Sequence, residues 1–101
     1  MKVLQDGIKY ALEGNGEEQI LKFTSKDKNG EFLDGTTNEE VINALIERFY
    51  YLNNKSYSAE NAAILIQLKS VRSLLKKRIS KKLKKYGTAT ENKAYSYRGR
   101  E

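Results

Sequence analysis

The chain has 101 residues, no Cys, no His and no Pro, with a formal net charge of +6 and a pI near 9.5. That composition excludes disulfides, zinc sites of the Cys/His kind and histidine acid–base catalysis. It allows one small domain with a thin core, for which self-association is the stabiliser left open. It also points to an anionic partner.

No apolar run approaches the roughly 18 residues that a membrane span needs. The start "MKVLQDGIKYALEG" lacks the apolar h-region of a signal peptide. The expected setting is the cytoplasm, and the absence of Cys agrees with a reducing compartment.

In chain order, the first 35 residues read as short strands. "IKYAL" (8–12) is followed by the turn-rich "EGNGEE". "QILKFTS" (19–25) puts Ile20 and Lys22 on one face and Leu21 and Phe23 on the other. Asn29-Gly30 then gives a hairpin signal, because both residues tolerate positive φ, and "EFLDG" is the return strand. A small antiparallel hairpin or three-stranded sheet is expected over 1–36.

A helix is predicted over about 37–53. Thr37 and Glu40 have capping-box spacing, and Asn38, Glu39 and Glu40 fill a first turn where acid favours the helix dipole. Ile42, Leu45, Phe49 and Leu52 follow at +3, +4 and +3. Asn53 and Asn54 suit its C-terminal end. A longer helix, about 58–86, starts at Ser58 as N-cap and stops at Gly87, with an apolar stripe through Ile64, Leu68, Val71, Leu75, Ile79 and Leu83. The fold class is therefore α+β, a small sheet followed by an antiparallel helical hairpin over 37–87. Residues 88–101 form a polar tail, in which Tyr95, Tyr97, Arg98 and Arg100 read as a frayed terminus or as groups that dock on a neighbour. At about 1.5 Å per residue the second helix outruns the first. Its overhang needs cover from another subunit, so a symmetric homo-oligomer is expected.

No catalytic constellation appears among these residues. There is no phosphate-binding loop or dinucleotide fingerprint, and "GNG" at 14–16 reads as a turn. The adjacent pairs Glu17-Glu18 and Glu39-Glu40 cannot face each other as acid and base on a helix. No enzyme activity, cofactor or metal is expected.

The positive charge is concentrated. "KSVRSLLKKRISKKLKK" (69–85) holds nine Lys or Arg and no acid. Arg78 and Lys82, four apart, share a helix face and suit a phosphate or pyrophosphate. Arg72, Lys76, Lys81 and Lys85 fall on other faces. A solvated basic face that keeps an oligomer in solution is the plain alternative. Tyr51, beside the apolar stripe and close to the turn, can stack on a nucleobase near the phosphate-favouring start of the second helix. Its plain alternative is packing against another subunit.

Residues 34–82, "DGTTNEEVINALIERFYYLNNKSYSAENAAILIQLKSVRSLLKKR" and the following turn, resemble the helical-hairpin domain of phage anti-defence sponges. These are the anti-Thoeris and anti-CBASS proteins. The shared features are the TNEE helix start, the YLNNK turn, EN opening the second helix and a basic pair late in it. The strands resemble the anti-Thoeris branch. The resemblance implies a non-enzymatic oligomer, typically a hexamer, acting in the cytoplasm of an infected bacterium. It implies binding of glycocyclic ADP-ribose or cyclic di- or trinucleotides without cleavage. The ligand-binding positions it implies are Tyr51, Asn61, Arg78 and Lys82. Tyr51 stands where the family more often has Phe, Lys82 replaces Arg, and the turn lacks a common Pro. Asn61 and Arg78 are 17 residues apart, or roughly 25 Å along one helix. A site containing both therefore draws them from two subunits. The competing reading is a basic helical nucleic-acid-binding protein that tracks phosphates with 69–85.

Overall fold

The computed structural model describes residues 1–86, with side chains through Lys82. Gly87 and the tail residues Tyr95, Tyr97, Arg98 and Arg100 lie outside the described residues. The architecture is α+β, and the chain divides into two compact units at Thr37/Asn38.

The first unit holds five short strands: β1 (Lys2–Gln5), β2 (Lys9–Leu12), β3 (Gln19–Lys22), β4 (Ser25–Lys26) and β5 (Phe32–Leu33). β1, β2 and β3 form an antiparallel sheet in that order, while β4 and β5 form a separate antiparallel pair. The predicted strands at 8–12 and 19–25 correspond to β2, β3 and β4. β1 completes the three-stranded sheet, and the sequence pattern did not single it out. Its pairing with β2 slips between Val3 and Gln5, a bulge that breaks the alternation on which strand recognition rests.

The hairpin expected around Asn29-Gly30 is present, but Asn29 does not take positive φ. Only Gly30 does, at +80°. The Asp27 carboxylate accepts from the amides of Asn29 at 2.8 Å and Glu31 at 3.0 Å, which leaves Gly30 alone to reverse the chain. Beyond it, Phe23 and Thr36 form a parallel bridge. The Thr24 amide donates to the Thr36 carbonyl and the Thr36 amide to the Lys22 carbonyl, each at 2.8 Å. Gly35 makes this crossing possible, since a Cβ there would overlap the backbone of Phe23 and Thr24.

The second unit is a helical hairpin of α1 (Asn38–Lys55) and α2 (Ala59–Tyr86). Thr37, the predicted N-cap, directly precedes α1 and is buried. Asn53 and Asn54 do not end α1, which continues to Lys55. Asn53 instead turns its Oδ1 to accept the Ser58 amide at 2.8 Å. Ser58 then caps α2, its Oγ accepting from the Asn61 amide at 2.9 Å. The turn is therefore held by side chains on both sides.

The helices pack along seams rotated from the predicted stripes. On α1 the buried residue is Ile46, with Ile42, Phe49 and Asn53 half-buried, while Leu45 is exposed. On α2 it is Leu65, with Leu68, Arg72, Leu75 and Ile79 half-buried, while Ile64 and Val71 are exposed. Each apolar stripe is wider than one helix–helix contact, so only part of it is covered.

Arg72 Nη1 donates to Asn43 Oδ1 at 3.3 Å, which registers the antiparallel pair. Counting outward from that bond sets Asn38, the first residue of α1, opposite Lys77. Arg78 and everything after it lie past the end of α1.

Gly35→Ala is expected to abolish the Phe23–Thr36 bridge, read as lost hydrogen-exchange protection at the Thr24 and Thr36 amides. Ile46→Ala should cost about 2–4 kcal/mol of stability in urea unfolding, as for deletion of a buried aliphatic side chain. The same truncation at the exposed Ile66 should stay within about 0.5 kcal/mol.

Candidate functional site

The nine cations of 69–85 do not act as one patch. Lys69 sits with its Nζ 4.8 Å from the centre of the Tyr50 ring, a cation–π contact across the hairpin. Arg72 is half-buried and bonded to Asn43. These two hold α2 against α1. Lys76, Lys77, Arg78, Lys81 and Lys82 are all exposed.

Past the end of α1 the outer side of α2 forms a groove of about 260 Å³, lined by Val71, Leu74, Leu75, Lys77, Arg78 and Lys81. Its floor is apolar and three cations stand over it. Lys77 and Lys81 are four apart and Arg78 and Lys81 three apart, so the three ammonium or guanidinium groups neighbour one another on the helix surface. Like charges so placed repel, and a bound anion relieves that repulsion. An apolar floor beneath a cationic rim suits a ligand with a flat or hydrophobic body and phosphate ends.

Of the four sequence-predicted site residues, Arg78 lies in this groove. Lys82 is exposed on the same side of α2 one turn further on and is not part of the lining. Lys81, assigned from spacing to another face, is the lining residue instead, together with Lys77. The i, i+3 and i, i+4 spacings to Arg78 and Lys77 were the signal that identified them, and attention to a single i, i+4 pair obscured it.

Tyr51 and Asn61 are at the other end of the hairpin. Tyr51 is 54 % exposed, and it projects from α1 on the side away from α2 rather than beside the seam. Lys55 Nζ lies 5.2 Å from its ring centre, giving an accessible aromatic face with a cation already beside it. Asn61 is half-buried in the first turn of α2, where its amide is taken by the Ser58 cap. Within one chain Arg78 therefore shares a groove with Lys77 and Lys81, and not with Tyr51 or Asn61.

Among the described residues no group of three His, Cys, Asp or Glu side chains is placed to hold a metal ion, and no helix is long and apolar enough to cross a membrane. No family model, curated protein or solved structure matches the chain.

Truncating Arg72 to Ala should destabilise the hairpin by about 1–2 kcal/mol, through the lost bond and the lost packing of its stem. Lys77→Ala, with its side chain in solvent, should change the thermal midpoint by no more than about a degree.

Proposed function

We propose that the chain binds small phosphate-bearing nucleotide signals where two subunits meet and holds them without breaking a bond. The ligands on this reading are glycocyclic ADP-ribose or cyclic di- and trinucleotides. The biological effect is that of a phage anti-defence sponge, which denies Thoeris or CBASS effectors their signal. The observation that carries this is the groove of Lys77, Arg78 and Lys81 on the part of α2 that α1 does not reach. Supporting it is the exposed Tyr51–Lys55 face, suited to a base. The groove's cations grip phosphate oxygens, with Arg78 as the forked donor and Lys82 one turn beyond as a point charge. Asn61 and Tyr51 of another subunit read the nucleoside portion. The assembly is a symmetric homo-oligomer, with the hexamer of the sponges it resembles as the working stoichiometry.

The five exposed cations between Lys76 and Lys82 favour one second reading, a helix that tracks nucleic-acid phosphates. The two differ in selectivity and in salt dependence. Calorimetry with a panel of nucleotide signals, and native mass measurement of the complexes, should find one class bound at micromolar affinity or better. The ligand should be recovered intact after heat denaturation. Arg78→Ala should weaken binding about 10- to 100-fold, the loss of a charge-assisted contact. Lys76→Ala should change it less than about threefold. No binding of any signal, together with a DNA or RNA gel shift that steepens as salt falls, would replace the sponge reading with the nucleic-acid one.

A further inference from the structure

Helix α2 carries a second seam beside the one that faces α1. It runs Glu60, Ile64, Gln67, Val71, Leu74 and Arg78, spaced +4, +3, +4, +3 and +4, the heptad period on which two helices pack side by side. Three of its members are large apolar residues left open: Ile64 is 38 %, Val71 40 % and Leu74 62 % exposed. The contact of Tyr50 with Lys69 marks one flank of the hairpin, and this seam lies on the opposite flank. Leu45 of α1, 38 % exposed, lies on that same flank and widens the apolar face.

Charge along the seam selects its occupant. Glu60 is the single acid of α2, in its first turn, and the cations gather at the other end. Glu60 and Lys82 each lie eleven residues from Val71, and Ile64 and Arg78 each lie seven. We infer that a second copy of this chain packs on the seam with α2 antiparallel to α2, about a two-fold axis at Val71. Such an axis makes every contact twice. Glu60 of each copy then faces Lys82 of the other, the helix dipoles oppose, and Val71 meets its own symmetry mate. A parallel pairing sets Arg78 against Arg78 and Lys82 against Lys82, which repel. Other proteins offered to the face lack this self-complementarity.

The inference deepens the proposed ligand site and rests on that reading for its functional consequence. Asn61 is ten residues before Val71 and Lys81 ten after it, so each Asn61 comes opposite Lys81 of the other copy. The basic groove of one subunit and the start of α2 of its mate become one junction, which occurs twice per pair, about 15 Å either side of the axis.

The chain has no cysteine, so single replacements report on the seam cleanly. In the full chain without ligand, Val71→Cys should convert mostly to a disulfide-linked dimer under mild oxidant. Ser73→Cys, exposed on the other side of α2, should not. Glu60→Lys should weaken self-association about tenfold or more by light scattering, and adding Lys82→Glu should restore it. Equal cross-linking at both positions, none at Val71→Cys, a monomer mass for the unmodified chain at 100 micromolar (about 10⁻⁴ M, a weak-complex threshold) or failure of the charge swap to restore association would each overturn the inference. A cross-linked dimer that binds no nucleotide upholds the interface and removes the sponge reading. Nucleotide binding by a Val71→Cys chain that never cross-links does the reverse.

Discussion

The helical unit depends on one mismatch: α1 has 18 residues and α2 has 28. Two antiparallel helices can bury one seam each, over the length they share. Ile46 against Leu65 is the centre of that seam. About ten residues of α2, or roughly 15 Å, continue past it with nothing of α1 alongside. The groove, the free cations and the open apolar flank all follow from this shortfall. A hairpin of equal helices would have covered Leu75 and Ile79 more deeply. It would also have set α1 beside the positions that Arg78 and Lys81 occupy.

Charge on α2 is divided by the same geometry. Where α1 is present, Lys69 and Arg72 fold back on it, one over the Tyr50 ring and one onto Asn43. Their stems cover the seam while their charges find partners. Where α1 is absent, Lys77, Arg78, Lys81 and Lys82 stand together without acids on their own helix. Neighbouring like charges on a helix cost a few tenths of a kcal/mol per pair. A chain that tolerates such a cost in a region free of packing constraint has kept it available for an anion.

Much of the fold was legible in the sequence because its signals are local. The Ser58 cap, the start of α1 after Thr37 and the Gly30 reversal each rest on a few consecutive residues, and each is where the pattern placed it. The rotation of the seams was not legible. Ile42, Leu45, Phe49 and Leu52 look like one stripe. The stripe spans both the covered seam and the open flank, and periodicity alone cannot split it. Asn53 misled for a related reason: its side chain suits a helix end, and here it serves the turn from inside the helix by accepting the Ser58 amide. β1 went unread because a bulge breaks its alternation. In the candidate site, Arg78 was legible from its spacing. Lys77 and Lys81 needed the groove to show that they share its rim, and Tyr51 needed the helix orientation to show that it faces away from α2.

The sequence by itself determined the class of the protein: a short sheet, two helices of unequal length, and an excess of positive charge confined to the end of the longer one. Those are properties of composition, caps and period, which neighbouring residues impose on one another. Only the tertiary structure decided which cations are spent on packing and which stand free, and which half of each apolar stripe is covered. Both depend on the register between α1 and α2, set by the Ser56–Ser58 turn and the Asn43–Arg72 bond. Register is a relation between distant residues, and no local pattern carries it.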